Sequence, residues 1–300
     1  METELKLIDH AGYRVPVLSG NPRAMGMPLI FFHGIAGSVN FWPALIPPSL
    51  KYRRRWHSIG LPGHFPHEFA ADSCSNATIS AEHFADILSV VVKRLTLCQP
   101  AALIGYSTGG FVALNLAARE PDLVATVVSV SGFANGKWHG ILGSLQKVAG
   151  YGQIGRRVCA TMWSRIASNP KVFRNLLLRA ARDLEPRSSE RQELMSLLVH
   201  DAIQQEPTAM AELLANIRRF DIRPILRNVR VPTLIAGGDL DPIIPYEHTR
   251  ELADLVQDAE LVIFSGVGHL FFVECSTLFR EVLNDWVERY CTSSELRRAA

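Results

Sequence analysis

A short apolar run, Ala101-Ala102-Leu103-Ile104, leads directly into Gly105-Tyr106-Ser107-Thr108-Gly109, and a helix-forming stretch, Phe111 to Arg119, follows. Few local patterns restrict a fold as tightly. A strand that passes into a helix through one sharp turn must hold the central serine in a strained backbone conformation. It also requires glycines on either side, because larger side chains would collide across the turn. Such a turn lifts the Ser107 hydroxyl clear of the sheet. It also sets the hydroxyl at a helix N-terminus, where unpaired backbone N–H groups favour developing negative charge.

The rest of the chain repeats the theme. Residues 4–18 alternate in polarity around His10-Ala11-Gly12 and read as an opening hairpin. Pro28 to Phe32 is a short apolar run, as expected of a strand buried on both faces of a parallel sheet; Trp56 to Ile59 and Val124 to Ser131 read as further strands, and Thr233 to Ala236 and Glu260 to Phe264 as short apolar ones. Helical spacing marks about 80–97, where Phe84, Ile87, Leu88, Val91 and Leu95 share a face and Ser80 or Thr78 can serve as cap, and about 276–290. Strands alternating with helices specify an α/β fold with a mostly parallel, doubly wound sheet. Between about 137 and 220 no strand-like alternation occurs, so a helical cap is expected to interrupt the sheet. The predicted division is core 1–133, cap 134–220 and core 221–300.

Composition excludes several alternatives. With 48% hydrophobic and 20% charged residues the chain has the makings of a sizeable core. A net charge of +2 gives no reason to expect a nucleic-acid or anionic-membrane partner. The five cysteines are scattered, with no C-x-x-C pair, so neither a disulfide framework nor a zinc site is expected. No apolar run reaches the roughly 20 residues of a membrane span, and the N-terminus lacks the apolar region of a secretory signal. A cytoplasmic setting is therefore expected, with no metal and no cofactor. Oligomeric state is not legible.

A serine at its ordinary pKa needs a base to act as a nucleophile. His269 follows the strand ending at Phe264 through Ser265-Gly266-Val267-Gly268, which brings it to the same sheet edge as Ser107. A carboxylate must then accept a hydrogen bond from the imidazole and fix its tautomer. The loop Gly237 to Pro245 offers Asp241, with Asp239 as the alternative; the loop after Ser131, Gly132-Phe133-Ala134-Asn135, offers none.

The elbow at Ser107, the Asp241-x-x-x-Pro245 loop and the Gly268-His269 loop together resemble the α/β-hydrolase superfamily over nearly the whole chain. His33-Gly34-Ile35-Ala36-Gly37-Ser38 looks like that family's oxyanion loop. The resemblance implies that the backbone N–H groups of Ile35 and Thr108 form an oxyanion hole, and that His33 braces its loop. Leu61-Pro62-Gly63-His64 is also similar to a family loop, but continues with Phe65-Pro66 in place of Gly and a small residue. The implied activity is hydrolysis of a carboxylic ester or thioester, a small molecule with an apolar acyl group, through an acyl-enzyme. The same triad also serves carbon–carbon bond hydrolases, lactonases, perhydrolases and acyltransferases, and some proteins of this fold are non-catalytic receptors. A serine at the elbow argues against relatives with an aspartate nucleophile.

Phe133, Trp138 and Phe271 are the expected substrate contacts, with Phe272 and the cap residues Met162, Trp163, Leu176, Leu177, Leu197 and Leu198 as further apolar candidates. His64 and His67 lie three apart, but Pro66 makes a helical ligand pair improbable. Gly150-Tyr151-Gly152-Gln153-Ile154-Gly155 matches G-x-G-x-x-G in letters only, since a helical rather than strand-like run precedes it. There the glycines are expected to let cap helices turn or pack closely. The tail from Thr292 is expected to be solvated.

Overall fold

The computed structural model describes residues 2–65, 68–69, 79–182 and 188–291. The chain opens with β1 (Thr3–His10) and β2 (Tyr13–Gly20), paired antiparallel. They are joined by Ala11 and Gly12, both at positive φ (50° and 81°), the handedness a two-residue hairpin turn requires. Next come β3 (Leu29–Phe32), the single-turn α1 (Pro48–Lys51), β4 (Trp56–Ile59) and the two-residue β5 (Glu68–Phe69). Helix α2 (Ala81–Thr96) starts at Ser80, whose Oγ accepts from the His83 N–H, so Ser80 is the cap. The alternative cap, Thr78, lies outside the described residues.

The central units are β6 (Ala101–Tyr106), α3 (Thr108–Arg119) and β7 (Val124–Val130). After the cap, the core resumes with β8 (Thr233–Gly238) and β9 (Glu260–Phe264). The sheet order is β1-β2-β4-β3-β6-β7-β8-β9, with β5 added to β2. Every pair from β4 to β9 is parallel; only β2 runs against its neighbours. All residues of β3, β4, β6 and β8 are buried, including His57 and Ser58 of β4; β9, expected as another apolar strand, lies at the sheet edge and only Phe264 in it is buried.

Between β7 and β8 the described residues form helices α4 (Gly140–Ala149), α5 (Gly152–Ala167), α6 (Pro170–Leu178), α7 (Ser189–Ile203) and α8 (Pro207–Ile217). Entry and exit are pinched together: Asn135 bridges Asp221, the Gly136 N–H donates to Phe220 O (2.8 Å), and the Ile222 N–H donates to Ala134 O (2.9 Å). The G-x-G-x-x-G letters fall at the α4–α5 junction, with no strand before them. A Cβ on Gly155 would lie 2.0 Å from Val148 O, so this glycine lets the two helices touch.

Three helices in the second half of the core complete the fold: α9 (Tyr246–Leu255), α10 (Phe271–Glu274) and α11 (Ser276–Cys291). Only α11 is evident in the sequence. In α9 just Thr249 and Leu252 are buried, too few apolar positions to mark a helical face. None of the helices among the described residues is long and apolar enough to cross a membrane. Cys98, Cys159, Cys275 and Cys291 are free thiols. The tail from Thr292 lies outside the described residues.

Candidate active site

Ser107 sits between β6 and α3 at φ 52°, ψ −114°, the left-handed strain its neighbours foretell. Its N–H donates to Val130 O (2.8 Å) and its carbonyl accepts from the Phe111 N–H (3.1 Å), which ties the turn to β7 and to the helix. The flanking glycines are sterically compelled. A Cβ on Gly105 would lie 2.0 Å from Gly109 O, and one on Gly109 would lie 2.1 Å from Phe32 O. The Ser107 side chain is buried, and its hydroxyl has no hydrogen-bond partner among the described residues.

Asp241 and His269 are brought together. The imidazole Nδ1–H donates to Asp241 Oδ2 at 2.6 Å, and both side chains are almost fully buried. The other carboxylate oxygen, Oδ1, accepts from the N–H groups of Ile243 (2.8 Å) and Ile244 (2.9 Å), so the carboxylate plane is fixed by its own loop. Asp239 points elsewhere: it accepts from Gly266 N–H (2.7 Å) and Ser265 Oγ–H (3.1 Å), pinning the loop that leads to His269. Between the two carboxylates, the structure makes Asp241 the imidazole's partner.

The backbone of His269 is held at both ends. Its N–H donates to Ala180 O in the cap (2.7 Å), and its carbonyl accepts from the buried Tyr106 hydroxyl (3.2 Å). Burial, with Asp241 and Glu274 nearby, pushes the Tyr106 pKa well up, so the phenol keeps its proton. Glu274 braces the same loop by accepting from the Gly268 N–H (3.0 Å to Oε2) and from the Arg182 N–H (2.7 Å).

The loop carrying Ile35 is set by His33. Leu61 N–H donates to His33 Nε2 (3.0 Å), so Nδ1 carries the proton and donates to Gly34 O (2.8 Å). Burial lowers the His33 pKa to about 4, which keeps the ring neutral and this pattern intact at neutral pH. Gly34 O also accepts from the Gly37 N–H (3.1 Å). Because a trans peptide is planar, fixing the Gly34 carbonyl directs the Ile35 N–H the opposite way, out of the turn. Thr108 is the first residue of α3, so its N–H has no intrahelical acceptor.

Two residues without a signature in the sequence hold this loop to the cap. Asp201, buried at the end of α7, accepts from Ser38 Oγ–H and from Asn40 Nδ2 (3.3 Å). Gln205 Nε2 donates to Gly37 O (3.1 Å) and Ala36 O (3.3 Å), while its Oε1 accepts from the Phe65 N–H (2.7 Å). A buried Asp and Gln inside a helical segment are the only trace they leave, and burial cannot be read from one sequence.

A cavity of about 80 Å³ lies between cap and core. Ser107, His269 and Ile35 border it, and Phe41, Leu142, Leu177, Leu198 and Phe272 supply much of its apolar lining. The expected contacts Phe133, Trp138 and Phe271 do not border it. Phe133 stacks on Phe111 (5.0 Å between ring centroids) and meets Trp138 edge-on (5.4 Å). Phe271 is enclosed by Tyr106, Phe272 and Phe279. These large rings are taken up by the core beneath the site. Trp163 is likewise buried, against Phe173. His64 packs edge-on to His33 (5.0 Å), and its sequence partner His67 lies outside the described residues.

The alpha/beta hydrolase fold family profile matches residues 27–275. The chain belongs to that family. Among curated relatives, it is 27% identical over 258 residues to a dihydrolipoyllysine-residue acetyltransferase component of an acetoin cleaving system from Pseudomonas putida. That match takes in 84% of this chain and 60% of the relative's length, so the chain spans less than two thirds of it. A pimeloyl-[acyl-carrier protein] methyl ester esterase from Neisseria meningitidis is 27% identical over 85% of this chain and 91% of its own length. The solved structure of a thermophilic esterase from Thermogutta terrifontis superposes with a TM-score of 0.74 at 18% identity, covering 97% of this chain and 100% of that one. At that identity the likeness concerns the fold alone.

Proposed function

We propose that this α/β hydrolase cleaves a carboxylic ester or thioester of a small to medium apolar acyl group, with Ser107 as nucleophile, His269 as general base and Asp241 as its orienting acid. The observation that carries the reading is the buried His269–Asp241 hydrogen bond at 2.6 Å beside a serine held at positive φ on the same cavity. With Nδ1–H committed to Asp241, the lone pair on Nε2 is left to take the Ser107 proton. The Ser107 hydroxyl makes no hydrogen bond to His269 among the described residues; in this reading the bond forms as substrate enters, as is common for such pairs.

Ser107 Oγ attacks the carbonyl carbon, its proton passes to His269, and the carbonyl oxygen becomes an oxyanion. The N–H groups of Ile35 and Thr108 receive it; losing one such donor costs about 3 kcal/mol of transition-state stabilisation. His269 then gives the proton to the departing alkoxide or thiolate. Water, deprotonated by the same imidazole, cleaves the acyl-enzyme and restores the serine. The buried thiols of Cys159 and Cys291 and the half-buried one of Cys275 offer no rival nucleophile at neutral pH, since burial pushes Cys159 up to about 11 and Cys291 up to about 12, and partial burial with Glu274 nearby pushes Cys275 up to about 12.

Substrate contacts move from Phe133, Trp138 and Phe271 to Phe41, Leu142, Leu177, Leu198 and Phe272, with residues 134–220 acting as the cap that closes the acyl pocket. The test is turnover of p-nitrophenyl esters from acetyl to palmitoyl by the parent and by Ser107→Ala. The reading requires a preference for the shorter acyl groups and loss of turnover in the variant. Cleavage of charged or peptide substrates in preference would contradict it.

A further inference from the structure

The near-neutral net charge hides a strong asymmetry. From Leu123 to Arg182 there are nine Lys and Arg residues and no Asp or Glu, which leaves the remainder of the chain with 22 cations against 29 anions. The basic stretch includes helices α4, α5 and α6. Arg156 is paired with Glu212 at 2.7 Å, whereas Lys147, Arg157, Arg165 and Lys171 are exposed.

Exposed apolar side chains gather on the same surface. Of 14 large hydrophobic residues exposed among the described residues, six lie between Ile141 and Val172. Four of them form one row: Tyr151 (80% exposed), Ile154 (77%), Val158 (46%) and Met162 (41%), three and four residues apart along the outer face of α5. The adjacent face, where Gly155, Cys159 and Trp163 each follow a row residue by one position and so lie about 100° further round the helix, is the one buried against the rest of the cap. Helix α5 therefore has its inner face satisfied and presents a second apolar row to the outside; Arg157 stands on the flank of that row and Arg165, three residues past Met162, continues it. A patch of this kind marks a surface that is covered in use.

We propose that the outer face of α5, with its basic surroundings, docks peripherally on an anionic phospholipid surface. An apolar row that can enter the acyl boundary, bordered by long cationic side chains that reach phosphate, is the arrangement of a helix lying in the plane of a membrane. Charge of a single sign favours this occupant over a protein, since protein partners are put in register by attraction and repulsion together. Nucleic acid would satisfy the cations and leave the apolar row without a partner. The docking is independent of the chemistry assigned to Ser107, because none of the four row residues borders the cavity.

The test is sedimentation of the full chain with vesicles of phosphatidylcholine alone and of phosphatidylcholine with phosphatidylglycerol, at low and high salt. Binding is expected on the anionic vesicles, weakened by salt, with little on the neutral ones. A basic residue near such a surface is worth roughly fivefold in partitioning, so Arg157→Glu with Arg165→Glu should lower it by well over tenfold. Ile154→Ser with Val158→Ser should lower it by about tenfold through the lost apolar insertion. Both double variants should keep the parent's thermal midpoint and its turnover of a soluble ester. Equal binding to neutral and anionic vesicles, no binding to either, or parent-like binding by both variants overturns the proposal. So does binding to an acidic protein or to DNA without binding to vesicles.

Discussion

Replacing Asp241 by asparagine tests the site with almost no change of shape. In the parent, Oδ1 accepts from the N–H groups of Ile243 and Ile244 and Oδ2 accepts from the His269 Nδ1–H. An amide has one acceptor oxygen, and two backbone donors claim it. The Asp241→Asn side chain therefore keeps its oxygen toward Ile243 and Ile244 and turns its NH₂ toward His269. A donor then faces Nδ1, so the imidazole must move its proton to Nε2, the atom that should accept from Ser107. The base is removed while every heavy atom stays in place. In a serine protease the corresponding wrong-tautomer substitution lowers kcat by about 10⁴, and a loss of that order, about 5 kcal/mol of barrier, is expected here. The assay is kcat for a p-nitrophenyl ester at neutral pH, alongside the thermal midpoint of both proteins. Asp241→Ala provides the contrast, because it strands two buried N–H groups at about 1–3 kcal/mol each and should lower the midpoint where asparagine does not. An asparagine variant that is stable and retains more than about a tenth of the parent kcat would refute the tautomer argument.

Three other outcomes follow from the same geometry. Gln205→Ala frees the carbonyls of Ala36 and Gly37 but leaves Gly34 O held by His33 and the Gly37 N–H, so kcat should fall about tenfold with KM nearly unchanged, less than the 10²–10³ lost with an oxyanion donor; a change in KM alone would mean the loop positions substrate instead. Leu177→Trp should fill the apolar end of the cavity and shift the ester preference toward acetyl, and an unchanged chain-length profile would place the acyl group elsewhere. Finally, burial lowers His33 to about 4, and burial with Arg55 nearby lowers His57 to about 4, from an unfolded value near 6.5. The unfolded chain then binds more protons between those values, so stability is full above about pH 6.5 and is lost as pH falls toward 4, by at most roughly 3 kcal/mol for each ring. Denaturant midpoints measured across that range should drop, and a flat profile would show that these rings are protonated at little cost when folded.

The sequence carried the parallel core clearly because its central strands are buried on both faces, so that Pro28 to Phe32 and Thr233 to Ala236 stand out as unbroken runs. The elbow was equally legible, since Gly105 and Gly109 face backbone oxygens about 2 Å from where a Cβ would be. Less could be seen where long-range packing decides. Phe133, Trp138 and Phe271 are apolar and close in sequence to the site, yet ring stacking draws them below it, and periodicity does not tell a core ring from a pocket ring. Gln205 and Asp201 act across more than 160 residues of chain on Ala36, Gly37 and Ser38, a pairing that no local pattern announces. The cap's charge was present in the letters but averaged away in the total. It takes on meaning from α5, which turns Ile154, Val158 and Met162 outward.

All of the proposed chemistry depends on Ser107 being an activated nucleophile. Treatment with a fluorophosphonate followed by peptide mass spectrometry reads this directly, because an ordinary serine does not react. A single adduct on Ser107, absent from Ser107→Ala and strongly reduced in His269→Ala, is the predicted result. An unmodified protein, or an adduct carried by another residue, would contradict it.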